Sequence, residues 1–450
     1  MFCSPAVNAK FHWALLFIVL IGPAELFADP VNKLDSVKKT LSLNDALLAV
    51  RESNLSLISF DYDAQADHAE AESENYFPDP TLFVAAQNLP TDTFKFDQEP
   101  MTQLRFGIRQ VIPAGDTLQI KYDTLQMQSE MKYTMQDRRW LRLKRAAELA
   151  WFEAWYWQKA LEILEQDVVF LKQILDITRS LYELGVRDQS DLLGAELEMV
   201  QLEEKRIDAK QNFVAFRNKL NTLAQQKITP WLISKSFNKF KFEEVPVDAL
   251  HAKLEMHPDI MHKLHSIHIS TQKIKLAEQS YVPRWSLEAS YGLRSGENAD
   301  KSDRPDFFSA GVNVQIPLFS ASSQDSKVRS ERKRQQSAQS AKTDALERMV
   351  FEYIDIQQKY LVSLDQSKLY EFKLLPTLAQ QKASILTAYQ SGSLDFNRTL
   401  RVYLKEQNSR LKYQRILVSQ QKMLSELQYW LPNSASSIVK TTQKKVGSVQ

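Results

Sequence analysis

From Asp116 to Leu181 the chain runs 66 residues without a proline or a glycine. Proline breaks a helix and glycine costs it roughly 1 kcal/mol, so their absence over this length predicts one helix roughly 100 Å long. Such a helix is stable only if it packs along its whole length. Its apolar stripe of Leu161, Leu164, Val168, Leu171, Ile174 and Ile177 is narrow and sustained, which predicts a coiled-coil-like seam. Residues from about Gln324 to Gln390 read as a second long helix. With 10 glycines in 450 residues, the whole chain is built for long uninterrupted elements.

Each long helix ends in the same way. YELGVRDQSDLLGAEL from Tyr182 returns 207 residues later as YQSGSLDFNRTLRVYL from Tyr389. Tyr182, Gly185, Asp188, Leu193 and Leu197 match Tyr389, Gly392, Asp395, Leu400 and Leu404. The glycine permits a chain reversal, and Asp188 or Asp395 can cap a returning helix. Both segments are therefore read as tips of helical hairpins, with Leu193, Leu197 and Leu202 supplying the return seam of the first. The duplication extends upstream: DALLAVRESN at Asp45 matches DALHAKLEMH at Asp248, and NYFPDPTL at Asn75 matches SYVPRWSL at Ser280. Each half reads helix, proline, strands, proline, long helix, turn, helix.

Between the prolines the period drops to two, the mark of strands with one apolar and one polar face. In TQLRFGIRQVIP, Leu104, Phe106 and Ile108 alternate with Gln103, Arg105, Gly107 and Arg109. In RWSLEASYGLRS, Trp285, Leu287, Ala289, Tyr291 and Leu293 alternate with Ser286, Glu288, Ser290, Gly292 and Arg294. GVNVQIP opposes Val312, Val314 and Ile316 to Gly311, Asn313 and Gln315, and TLFVAAQNLP alternates less cleanly. Apolar-out, polar-in runs of about 10 residues suit a transmembrane β-barrel. Four strands cannot close one, since about eight is the minimum, so several chains must contribute.

Residues 1–28 carry Lys10, the apolar run WALLFIVLI and small residues ending at Ala24 or Ala28, the layout of a secretory signal peptide. The only cysteine, Cys3, lies inside that leader, so the mature chain is expected to lack disulfides and thiolate ligands. Lys and Arg number 57 against 55 Asp and Glu, a net charge of +2 that makes no case for nucleic acid as the partner.

Three other features carry less. His262, His265 and His268 stand three apart on a predicted helix, a spacing open to a metal, but no cysteine or carboxylate completes the set and solvated histidines are commoner. Trp140, Trp151, Trp155 and Trp157 follow Arg138, Arg139, Arg142 and Arg145; in a secreted helix they read as packing knobs beside a solvated face. KVRSERKR from Lys327 reads likewise as a solvated basic run. No Gly-rich phosphate loop, G-x-S-x-G or H-E-x-x-H is present, which argues against an enzyme and implies no cofactor.

With leader, duplicated halves, proline-bounded strand pairs and Tyr-x-x-Gly turns in place, the chain resembles the TolC family of outer-membrane efflux proteins over roughly residues 40 to 430. LSLNDALLAVRESN, FPDPTL, VQIPLF and the two turns carry the resemblance, and PDPTL and QNLP look most like the branch paired with heavy-metal exporters. The resemblance implies a mixed α and β fold: long antiparallel helical hairpins forming a periplasmic α-barrel, and four strands per protomer in a 12-stranded trimeric transmembrane β-barrel. The residues themselves divide the chain into an N-terminal segment over 29–40, repeats over 41–226 and 247–431, strands near 81–90, 102–113, 284–295 and 307–317, tips near 182–188 and 389–395, a connection over 227–246 and a disordered tail over 432–450. The resemblance further implies a Gram-negative outer-membrane homotrimer, working with a periplasmic adaptor and an inner-membrane pump, or in type I secretion, to export small molecules or metal ions.

By the same resemblance an adaptor meets the tips at Tyr182, Leu184, Gly185, Val186 and Arg187, and at Tyr389, Ser391, Gly392, Ser393 and Leu394, with SGSL more polar than LGVR. A periplasmic gate falls to Asp191, Arg398 and Arg401, the two arginines standing where some members of the family have acidic residues. Asp191 and Arg398 occupy equivalent repeat positions and so would alternate around a trimer's tip. The rival classes are a periplasmic coiled-coil adaptor, expected to have one hairpin and lipoyl-like strands, and a structural coiled coil.

Overall fold

The computed structural model describes residues 40–225, 232–237, 240, 242, 244–319 and 323–432. The signal-peptide reading of residues 1–28, and the tail beyond residue 432, lie outside the described residues.

The chain begins with a short strand β1 (Thr40–Leu41), helices α1 (Leu43–Ser53) and α2 (Leu55–Glu74), strands β2 (Thr81–Gln87) and β3 (Gln103–Ile112), and long helices α3 (Thr117–Glu183) and α4 (Gln189–Leu223). The same order follows again: β4 (Leu232–Ile233), α5 (Val247–Glu255), α6 (Pro258–Glu278), β5 (Arg284–Leu293), β6 (Phe307–Gln315), then α7 (Gln324–Leu369), α8 (Leu375–Gln390) and α9 (Phe396–Trp430). Local chemistry sets several boundaries. The Ser42 side chain accepts from Asp45 N at the start of α1, and His257 caps α6 with Pro258 in its first turn.

At 67 residues, α3 is the expected unbroken helix, about 100 Å long. Its counterpart is not unbroken, which corrects the reading of 324–390. Residues Tyr370–Leu374 form a π-helical turn between α7 and α8. The cause is Pro376, which has no N–H to donate and whose ring crowds the carbonyl four residues back, at Phe372; the widened turn absorbs both faults.

Strands β2, β3, β5 and β6 form one antiparallel sheet in that order, so the two hairpins join through β3 and β5. Its register puts Leu82, Ile108, Ala289 and Ala310 in one row and Val84, Phe106, Tyr291 and Phe308 in another. The face they share is apolar and exposed, and no strand residue on it is charged. The opposite face carries Arg105, Arg109, Arg284 and Glu288. The sheet is open, with β2 and β6 as its edges. Phe83 explains the uneven alternation of the first strand: it lies on the polar face, with its ring over Gly107, where a Cβ would sit 2.2 Å from the ring.

The core lies among the helices. Trp151 and Phe152 pack edge-on at 5.5 Å, Phe237 stands against both, and the Trp151 indole donates to Leu41 O at 3.2 Å. The arginines before them serve the same packing. Arg138 and Arg142 reach Asp259 at 2.5 and 3.3 Å, and Arg145 reaches Glu426 at 3.1 Å while lying over the Tyr429 ring.

Farther along the shaft α3 packs on α4 and α9, and α9 on α8. Leu164, Leu171 and Ile174 are buried there as the stripe predicts. The return seam follows the expectation at Leu202, which is buried, and departs from it at Leu193 and Leu197, which are 56% and 57% exposed; Ala195 and Ala209 are buried in their place. The buried three are seven residues apart, a strict heptad, and small residues let α4 approach closely. Leu193 and Leu197 fall on a second stripe with Val200 and Ile207.

Among the described residues no helix is long and apolar enough to cross a membrane.

Candidate functional site

Both hairpin tips are built by the same backbone device. At the end of α3, Gly185 takes φ +72°, its N–H donates to Tyr182 O at 2.9 Å, and Val186 N donates to Leu181 O at 2.9 Å. At the end of α8, Gly392 takes φ +74°, with Gly392 N to Tyr389 O at 3.0 Å and Ser393 N to Ala388 O at 3.1 Å. This is the Schellman arrangement, which satisfies the last carbonyls of a helix and demands a left-handed residue that glycine adopts without steric cost. Neither glycine is hemmed in. A Cβ on Gly185 would meet nothing within 4 Å, and one on Gly392 only Val186 Cγ1 at 3.7 Å.

The returning helices start differently. The Asp395 carboxylate accepts from Arg398 N at 2.8 Å, whereas Asp188 stands at the capping position with no side-chain cap bond.

The matched residues of the two tips do different work. Tyr389 is fully buried and Tyr182 is 41% exposed. The Tyr389 hydroxyl lies 2.6 Å from Thr178 Oγ1, which itself donates to Ile174 O, so the tyrosine donates. Arg187 crosses from the first tip to the second, donating to the carbonyls of Gly392 and Leu394, with its guanidinium 5.6 Å from the Tyr389 ring centre. Gly194 lies under the Phe396 ring. The two tips of one chain are thereby joined. Position 394, equivalent to Arg187, is a leucine and offers no such bond. Leu184 and Val186 are exposed at the first tip, and Ser391 and Ser393 at the second.

Asp191 sits near Arg187, Asp188 and Asp395; burial pushes its carboxyl above the usual range, Arg187 opposes this, and the two aspartates add to it. Arg398 and Arg401 are exposed. Among the described residues no ion pair joins either arginine to Asp191 within one chain.

Sequence reasoning missed a buried ionic cluster higher on the shaft. Asp167 is almost fully buried and meets Arg410 at 3.2 Å; Glu406 meets Lys382 at 3.0 Å, and Lys205 reaches Gln407 at 3.2 Å. It ties α3, α4, α8 and α9 together, and its members are scattered through the sequence with no motif to flag them.

His262, His265 and His268 all lie on α6. Among the described residues no three of His, Cys, Asp and Glu come together as metal ligands. A three-residue step falls about 60° short of a full turn, so the three rings fan around the helix. His262 and His265 are half-buried, near Arg138 and Glu130 respectively, and His268 is exposed. Burial, first, lowers the proton affinity of both half-buried rings.

The sequence matches no family model and no curated protein. Solved structures do match. The CusC structure, described in terms of folding and transmembrane channel formation, superposes with a TM-score of 0.72 at 15% identity, over 86% of this chain and 91% of that one. A membrane protein from Pseudomonas aeruginosa gives 0.72 at 17% identity, over 86% and 90%. The open state of the Neisseria gonorrhoeae MtrE outer-membrane channel gives 0.66 at 13%, over 86% and 88%. The chain shares the fold of these three membrane proteins, the last of them an outer-membrane channel.

Proposed function

We propose that three copies of this chain close into one outer-membrane channel, the exit duct of a tripartite efflux pump or type I secretion system for small molecules or metal ions. The observation that carries the reading is that the sheet and the helical layer are both left open at their margins. β2 and β6 have unpaired edges and run in opposite directions, so β6 of one chain can pair antiparallel with β2 of the next. The helical margins carry exposed apolar stripes: Leu193, Leu197, Val200 and Ile207 on α4, and Val362, Leu369 and Phe372 along α7 and the π turn. Ile207 and Phe372 lie about equally far from their tips, roughly 28 Å at 1.5 Å per residue, so the stripes meet at matching heights.

In this reading the apolar sheet face meets lipid, the polar face lines the lumen, and the helical shaft stands in the periplasm. Residues 1–28 direct export. A periplasmic adaptor docks at the two tips, on the apolar Leu184–Val186 surface and the polar Ser391–Ser393 surface. Asp191 pairs with Arg398 of a neighbouring chain to hold the tip closed.

The test is outer-membrane fractionation with and without Leu287→Arg. The wild type should give heat-modifiable trimers. A charge at the lipid face should cost about 2–4 kcal/mol near the bilayer midplane and lower trimer yield. Monomers in the periplasmic fraction, or trimers indifferent to the arginine, would refute the reading.

A further inference from the structure

We infer that the β-barrel lumen carries an electropositive belt, formed by Arg105 and Arg109 around Glu288, that makes the duct favour anionic solutes over cations; this rests on the barrel reading above. The belt is a defined cluster. Arg105 Nη2 donates to Glu288 Oε1 at 2.8 Å and its Nε to Ser290 Oγ at 2.7 Å, while Arg109 donates to Glu288 Oε2 through Nη2 at 2.7 Å and Nε at 3.0 Å. One carboxylate thus serves two guanidinium groups and neutralises one.

Register fixes the direction in which the surplus points. Arg109 pairs with Glu288, which sits opposite Gly311 on β6, and Arg105 pairs with Gly292, all on the polar face. Arg284, four residues before Glu288, shares that face. The strand residues of the polar face therefore hold three arginines against one glutamate, a surplus of two positive charges per chain, and those of the apolar face hold none. β2 and β6 add no charge.

Little else on that face competes with the guanidinium groups for the lumen. Ser286, Ser290, Ser309 and Gly311 are small. Of its two large rings, Phe83 lies over Gly107 with the Arg105 guanidinium 5.4 Å from its centre, and Phe307, opposite Gly292, has the Arg294 guanidinium 4.2 Å from its centre. The arginines are thus the farthest-reaching polar groups of the belt, and Arg109 is half exposed to the lumen side. Repeated three times, the surplus sets a positive potential across the lumen at low salt. The Debye length is about 30 Å at 0.01 M and about 3 Å at 1 M, so the preference is strong in dilute electrolyte and vanishes in concentrated salt.

The test uses the full-length trimer in planar bilayers under a KCl gradient, reading the reversal potential. At a few tens of millimolar, chloride should pass about threefold more readily than potassium, with the ratio approaching one near 1 M. Arg105→Gln with Arg109→Gln should abolish the preference, Glu288→Gln should increase it, and Arg105→Lys with Arg109→Lys should keep it. A cation-preferring wild type, or a reversal potential that the double glutamine variant does not move while current persists, overturns the belt. No current from the wild type overturns the duct reading itself and the belt with it.

Discussion

The tip glycines allow the turn-forming role to be separated from docking, because their surroundings are empty. At φ +72° and +74° any other L-residue suffers the left-handed penalty, roughly 1–2 kcal/mol. Space adds nothing to that cost at Gly185, and at Gly392 the one neighbour, Val186 Cγ1 at 3.7 Å, is at ordinary van der Waals distance. Alanine and tryptophan should therefore destabilise the proposed trimer about equally, by roughly 1–2 kcal/mol per tip. Their effects on an approaching adaptor hairpin should differ: alanine fits beneath a close contact and tryptophan does not. The assay pairs trimer dissociation on heating with adaptor capture on an immobilised trimer, for Gly185→Ala, Gly185→Trp, Gly392→Ala and Gly392→Trp. Capture should survive alanine and fall at least tenfold with tryptophan, a loss of about 1.4 kcal/mol or more. Tryptophan variants that bind the adaptor like the alanine ones would refute docking at the tips, and trimers far less stable with tryptophan than with alanine would refute the open geometry.

Two further predictions concern charge. Asp191→Arg and Arg398→Asp should each raise the conductance of the closed trimer in planar bilayers, and the double exchange should restore it; three tight variants would refute pairing between neighbours. Glu148 is buried on α3, accepts from the Ser425 hydroxyl and has Lys144 at 3.8 Å. Burial raises its affinity for a proton, Lys144 only partly offsetting this. Its folded value thus lies above the unfolded 4.5, so the stability it contributes is complete below that pH and is lost as pH rises through the folded value. Glu148→Gln should flatten this loss and raise the midpoint of thermal unfolding at pH 7, and an unchanged pH profile would contradict it.

What the sequence made legible was whatever a single element encodes by itself. The proline-free run, the stripe through Leu164, Leu171 and Ile174, and the tip glycines all report local geometry, and the structure bears them out at those residues. Pro376 was equally visible and marks the π turn, but the expectation of one unbroken helix over 324–390 took no account of it. Leu193 and Leu197 show a different limit. A leucine stripe announces that a helix face will be covered, not what covers it, and here Ala195 and Ala209 join Leu202 in the seam within the chain. The Arg187 bridge and the Asp167 cluster join residues more than 200 positions apart, which no local pattern encodes. Tyr182 and Tyr389, alike in the sequence, part company because only one of them lies where the two hairpins of a chain meet.

The open sheet has a consequence for the chain before it reaches its final state. β2 and β6 each present a row of unpaired N–H and C=O groups, and neither contains a proline, a lysine or any other charge. Proteins that live as monomers blunt such margins with those residues, because a bare edge is a template for adding strands from any source. Among the described residues nothing blunts them, so on the proposed trimer a newly made copy is sticky along both sides until its neighbours cover them. The hazard grows with the number of unassembled copies present at once. Production that outpaces assembly will therefore divert material into irregular β-aggregates.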